Sequence, residues 1–203
     1  MKTPDIAIIG AGPVGMALAL ALHGGPHTVT LIDARGRGAS RKDPRVLALA
    51  HGTRLTLERL GVWQHLPATP IRHIHISQQG GFGRTQVDDT DYGVDGLGHV
   101  VRAGDLASAL DDAIAAAGIA LIDGCAAHPD ESLAGRVRLV REGATELLDC
   151  PLVACAEGGM RADDPAIRVR DYHQHAVICM ATPAAPHGHT AYERFTPGGP
   201  VAL

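Results

Sequence analysis

The stretch Gly10-Ala11-Gly12-Pro13-Val14-Gly15 lies between one short apolar run and a second that closes on Asp33. It constrains the fold of this chain more than any other feature. Asp5 to Ile9 reads as a buried strand, Pro13 to His23 as a helix and Thr28 to Asp33 as another strand. Strand, glycine turn, helix, strand requires a parallel pair joined by a right-handed crossover. In such a turn the first glycine permits the sharp bend and the second lets backbone approach a pyrophosphate. The third lets helix and strand pack closely. Pro13 and Val14 open the helix between the second and third glycines, where free amides and the helix dipole favour phosphate. Asp33 ends the second strand, where a carboxylate accepts hydrogen bonds from ribose hydroxyls. Gly10, Gly12, Pro13, Val14, Gly15 and Asp33 are therefore the expected dinucleotide site. An acid at Asp33 suits an unphosphorylated ribose and disfavours NADP there, while the fingerprint alone leaves NAD and FAD open.

The bulk properties exclude several other classes. With 203 residues, the chain is long enough for one large domain or two small ones, and needs no metal or disulfide to hold a core. A net charge of −4, with no run of lysine or arginine, argues against nucleic acid as a partner. Cys125, Cys150, Cys155 and Cys179 form no CxxC pair, as expected of a reduced, cytosolic chain. His73 and His75 would share a strand face, as would His173 and His175, but no further ligands complete a zinc-like set, so no metal is expected. Residues 6–22 are apolar, yet Gly10, Gly12, Pro13 and Gly15 interrupt them, which is not the pattern of a cleaved leader. No uninterrupted stretch reaches membrane-spanning length, so the expectation is a soluble or at most membrane-peripheral protein.

Beyond the first unit, residues 34–45 read as a loop and Val46 to Leu60 as a helix capped by Gly61. Ile71, Ile74 and Ile76 suggest a strand, with a turn at Gly80, Gly81 and Gly83. Val100 to Arg102 leads into a helix from Ala103 to Ala117. Arg136 to Arg141 and Thr145 to Leu148 form a hairpin about Glu142-Gly143, followed by a strand from Leu152 to Cys155. Ala176 to Met180, Ala191 to Phe195 and Val201 onward read as β.

Several segments together resemble the FAD-dependent aromatic-ring hydroxylases, and within them the polyprenylphenol hydroxylases of ubiquinone biosynthesis. They are Asp43-Pro44-Arg45-Val46-Leu47-Ala48-Leu49-Ala50-His51-Gly52-Thr53, Leu57 to Trp63, Ile71 to Ser77, Gly98 to Arg102, and Ala191 to Leu203. The resemblance implies non-covalent FAD, NAD(P)H as co-substrate, and O2-dependent hydroxylation of a small aromatic, prenylated ring. It also implies a cytoplasmic protein, at most peripheral to the inner membrane, with a ubiquinone-synthesis complex as partner. Arg45 and Arg102 would contact the flavin nucleotide, and Ala127 would offer backbone atoms to adenine. The implied fold is α/β: a Rossmann-type FAD-binding βαβ domain, residues 1–66 and 99–160, interleaved with β-rich substrate-domain strands, residues 67–98 and 161–203. It is truncated, because family chains are about twice as long and carry a later Gly-Asp flavin motif.

Two features depart from that family. Ala156-Glu157-Gly158-Gly159-Met160, followed by Arg161, stands where the family has Ala-Asp-Gly and a serine, which bears on NAD(P)H handling. No catalytic acid or base is evident: His73, His75 and Tyr192 qualify by side-chain chemistry alone. The rival readings are a non-catalytic nucleotide-binding remnant and an NAD-dependent dehydrogenase.

Overall fold

The computed structural model describes residues 3–130, 132–158 and 168–203. In chain order the elements are β1 (Ile6–Ile9), α1 (Pro13–Leu22), β2 (Val29–Ile32), β3 (Val46–Ala50), α2 (His51–Arg59), β4 (Thr69–Ile71), β5 (His73–Gln78), β6 (Arg84–Asp88) and α3 (Asp89–Tyr92). They continue with β7 (Gly98–Arg102), α4 (Ala103–Ala116), β8 (Ala120–Ile122), β9 (Ala126–Pro129), β10 (Arg136–Arg141), β11 (Ala144–Asp149), β12 (Leu152–Cys155), β13 (Thr190–Thr196) and β14 (Gly199–Ala202).

The first unit is the expected one. β1 pairs in parallel with β2 and with β12, and β2 pairs in parallel with β8, giving the order β12-β1-β2-β8. Every residue of β1 is buried, as a strand covered on both faces requires. Strand alternation then divides the core. Ile6, Ile8 and Leu31 face α1 and α4, packing with Met16, Ala19, Leu106, Leu110 and Ile114. Ala7, Ile9 and Ile32 face the antiparallel meander β11-β10-β9, against Ala127, Val137, Leu139 and Leu148. The result is three layers: helices, parallel sheet, meander.

Two further sheets are β3-β7-β4, antiparallel, and β14-β13-β5-β6, in which β5 and β13 run parallel. The chain passes directly from β4 into β5 at Arg72, whose guanidinium bonds Asp89 at 3.1 Å. α2 ends in a left-handed residue at Gly61, with Gly61 N–H donating to Glu58 and Val62 N–H to Leu57. The hairpin turn at Glu142-Gly143 has both residues at positive φ, the geometry that matches strand twist.

Two expectations fail locally. Val46 to Leu60 is not one helix: residues 46–50 form β3, and only His51–Arg59 is helical. The Val-Leu-Ala-Leu-Ala run favours a helix locally, but all five residues find ladder partners on β7, and that tertiary pairing overrides local preference. Ala176 to Met180 forms no strand. Val177, Ile178 and Met180 stand exposed, and β-favouring side chains without a neighbouring strand or a face to bury do not make one. Gly159, Met160 and Arg161, part of the departure from the family pattern, lie outside the described residues.

Candidate nucleotide site

The turn between β1 and α1 sits at the carboxyl end of the parallel sheet, where open α/β sheets bind ligands. Its three glycines have different physical reasons. Gly10 has φ +103°, and a Cβ there would lie 2.6 Å from the Ala156 carbonyl oxygen at the end of β12. A Cβ on Gly15 would lie 1.9 Å from the Gly10 carbonyl oxygen. Both are demanded by the protein's own packing. Gly12 differs: its φ is −80° and, among the described residues, a Cβ there meets nothing within 4 Å. Nothing among the described residues requires glycine at that position, whereas a phosphate approaching the backbone would.

Gly12 is also the N-cap of α1, with no side chain bonded to the helix end, and Pro13 occupies the first turn. Val14 is exposed beside it. The helix therefore presents unsatisfied amides and its positive dipole end to the space above the turn.

Asp33 is buried at the end of β2, with its carboxylate turned toward the same turn. Oδ2 accepts the Ala11 N–H at 2.8 Å, and Oδ1 accepts the Arg35 N–H at 2.8 Å. The Arg35 guanidinium adds Nε to Oδ1 and Nη2 to Oδ2, each at 3.0 Å. Burial alone would raise the Asp33 pKa. The hydrogen bonds from the Arg35 side chain and backbone and from Ala11, with the Arg35 charge, outweigh it and hold the group below its ordinary 3.8. Asp33 is thus an anion with its acceptor capacity directed at the turn.

A second ion cluster bounds the cleft. Asp111 of α4, also buried, accepts Arg37 Nε at 3.1 Å, Arg41 Nε at 2.9 Å and Arg41 Nη2 at 2.6 Å. These contacts fold residues 34–45 over α4, so that Ala11, Leu31, Asp33, Arg35, Arg41 and Asp111 line a cleft of only about 30 Å³. That is room for a water or two between these side chains. Sequence reading missed Arg35, Arg37, Arg41 and Asp111. For Arg37, Arg41 and Asp111 the signal is charge complementarity between positions 74 and 70 apart, which no local pattern exposes, whereas Arg35 pairs with Asp33 only two residues away.

Arg45, Arg102 and Ala127 occupy other parts of the fold. Val46 pairs with Arg102, placing Arg45 and Arg102 at one end of the β3–β7 pair. Arg45 is exposed and ion-paired to Asp43 at 2.6 Å. Its side-chain and backbone hydrogen bonds hold the Asp43 carboxyl down at about 2. Arg102 is exposed. Ala127 is buried in the meander core opposite Leu139, on the far side of the parallel sheet from the helices. None of the three lines the cleft, and of the expected site residues only Asp33 does; Gly10, Gly12, Pro13, Val14 and Gly15 lie beside it at the turn. Among the described residues no group of three or more side chains could hold a metal, and no helix is long and apolar enough to cross a membrane.

Residues 3–170 match the family described as FAD binding domain. The chain belongs to that family. This FAD-binding-domain chain is 24% identical over 222 residues to a ubiquinone hydroxylase, UbiM, of Neisseria meningitidis, covering 98% of this chain and 46% of that protein. It spans about half the length of the curated relatives it matches. Among solved structures it resembles the p-nitrophenol 4-monooxygenase PnpA of Pseudomonas putida, with a TM-score of 0.62 and 17% identity over 77% of this chain and 41% of that one. It also resembles CtdE, solved in complex with FAD, with a TM-score of 0.55 and 14% identity over 77% and 39% of the two chains. The fold is that of the flavoprotein hydroxylases, and within it the βαβ turn and Asp33 fall inside the matched segment.

Proposed function

We propose that this chain is the FAD-holding part of a flavin-dependent monooxygenase that hydroxylates an aromatic ring, such as a polyprenylphenol precursor of ubiquinone, at the expense of NAD(P)H and O2. One observation carries the reading: Gly12 is empty space where Gly10 and Gly15 are filled, directly above an uncapped helix end and beside Asp33. A diphosphate accounts for the first two features and a ribose for the third. Bound FAD supplies the redox chemistry that transfers oxygen to the ring. The chain's own residues bind and orient it. Amides at the start of α1 receive the diphosphate, Asp33 exchanges its Arg35 contacts for ribose hydroxyls, and Arg45 and Arg102 offer charge at the β3–β7 end. The ubiquinone assignment is supported by the relationship to UbiM and by the ordered segments from Asp43 to Leu203.

A second reading, a nucleotide-binding module without turnover, is favoured by the closed cleft with its arginine–aspartate contacts. Purification decides between the two. A yellow protein that quenches FAD fluorescence on titration and oxidises NADH or NADPH faster when a phenol is present supports the monooxygenase. FAD binding with no such oxidation supports the module, and no FAD binding removes both.

A further inference from the structure

The joint between the β3-β7-β4 sheet and the β14-β13-β5-β6 sheet is tied by charge. Arg72 stands between β4 and β5, and donates Nη1 to buried Asp89 Oδ2 at 3.1 Å and Nη2 to Asp95 Oδ1 at 3.4 Å. Arg54 of α2 holds the same Asp95. Its Nη1 donates to the Asp95 carbonyl at 2.7 Å and to Oδ2 at 3.4 Å, while its Nε donates to Glu58 at 2.8 Å. Glu58, Arg54, Asp95, Arg72 and Asp89 thus form one relay from α2 to α3, with Asp95 as its bridge. Two backbone bonds close the joint beside it: Leu97 N–H donates to the Ile71 carbonyl at 2.8 Å and Asp89 N–H to the Arg72 carbonyl at 2.9 Å.

His99 of β7 lies against this relay. It is buried, its ring meets Trp63 edge-on, and the Arg54 guanidinium stands 5.8 Å from the centroid of the same indole. Gly96, next in the chain after the bridging Asp95, passes so close that a Cβ there would lie 3.2 Å from His99 Cε1. Among the described residues, the Nδ1 atoms of His99 and of His51 at the start of α2 are the buried side-chain nitrogens and oxygens without a hydrogen-bond partner. The charged and titratable groups acting on His99 are Arg54, His51 and Glu58 from α2 and Asp95 from the segment before β7. Both carboxylates are already bonded to Arg54, and the other two groups are basic. A neutral imidazole tolerates these surroundings. A proton adds a second N–H and a full charge to a ring whose acidic neighbours are taken.

We infer that His99 is a proton-sensitive latch on this joint: neutral, it packs against Trp63 and Gly96 while Arg54 and Arg72 share Asp95, and protonated, it leaves its pocket and opens the Asp95 bridge. The coupling is steric as well as electrostatic, because the ring cannot turn out past Gly96 without displacing Asp95 beside it. Burial, followed by the Arg54 charge, holds the closed-state His99 below its ordinary 6.5. Opening therefore takes a proton from solvent and becomes easier as pH falls below about 6.5. The device acts apart from the nucleotide turn. It sets how firmly the second sheet is held to the sheet that carries Arg45 and Arg102, and the joint loosens while the parallel sheet stays folded.

The test follows native-state hydrogen exchange and Trp63 emission on the full chain from about pH 7.5 to about pH 5. Trp63 is the only tryptophan in the sequence, so its emission reports the pocket alone. After correction for intrinsic exchange rates, protection of the Asp89 and Leu97 amides should fall at least about threefold by pH 5. The ceiling is about thirtyfold, set by an open-state value near 6.5. Trp63 emission should shift to the red over the same range. His99→Phe keeps a ring against Trp63 and cannot be protonated, so it should show neither change, and His99→Gln should give the same flat protection profile. Asp95→Asn should lower protection of the two amides already at pH 7.5. Circular dichroism confirms that each variant is folded, and the amides of β1 and β2 should keep their protection throughout. Equal responses in the wild-type chain and His99→Phe, or full protection in Asp95→Asn, overturn the latch. A loss that spreads equally into β1 and β2 is global unfolding and overturns it as well.

Discussion

Two glycines of the turn serve the protein, and one is free for a ligand. That separation makes Gly12→Ser the sharpest single substitution. Serine is a better N-cap than most residues and φ −80° suits it, so the thermal midpoint should hold or rise slightly. Its side chain stands where a diphosphate would approach, so FAD affinity should fall at least about tenfold, or about 1.4 kcal/mol. Calorimetry and fluorescence titration read the two effects separately. Gly15→Ala behaves oppositely, because its methyl would lie 1.9 Å from a carbonyl oxygen. Overpacking of that kind costs about 1–3 kcal/mol or more, visible as a lowered denaturation midpoint. Asp33→Ala strands the Ala11 N–H and releases Arg35, with an expected loss of about 1–3 kcal/mol in stability together with weakened FAD binding.

At the scale of elements, the decisive contact joins the 34–45 segment to α4 through Asp111. Arg37 and Arg41 are partly exposed, so solvent screens much of their attraction, but the carboxylate between them is buried. Asp111→Ala should loosen the segment without unfolding the sheet. The expected result is faster tryptic cleavage after Arg37 and Arg41 at an almost unchanged thermal midpoint. Equal cleavage rates in the two proteins would show that the segment is held by something else. β3 shows the limit of local reading at this scale. Four of its five residues, two Leu and two Ala, are good helix formers and become a strand because β7 lies alongside. Ala176 to Met180 shows the converse: β-favouring residues remain irregular where no described strand accompanies them.

For the whole molecule, pH separates two kinds of titrating group. Burial, followed by the nearby Arg54 charge, lowers the His99 pKa below its ordinary 6.5. Its Nδ1 is buried without a partner, and its ring meets Trp63 edge-on at 4.9 Å. The unfolded chain therefore takes up that proton first, and stability falls as pH drops below about 6.5. Asp33 and Asp43 also have lowered values, so their contributions are complete above 3.8 and are lost as pH falls through the folded values. Denaturation midpoints against pH should show two descending windows. His99→Phe should remove the upper one and leave the lower, since an apolar ring takes the place of an unpaired nitrogen. The strand–turn–helix–strand unit was legible from residues 5–33 alone, because a buried strand, a glycine turn, a helix and a terminal acid are local in sequence and each has its own residue requirement. The resemblance further along the chain pointed to the flavin before any contact was known. Only the tertiary structure decided that, among the described residues, a Cβ on Gly12 alone of the fingerprint glycines meets no neighbour. It alone also showed that Arg37 and Arg41 reach Asp111 of α4 at the cleft. Those facts join residues that are distant in sequence or separated by strand pairing, and close approach in space leaves no periodic trace in the chain.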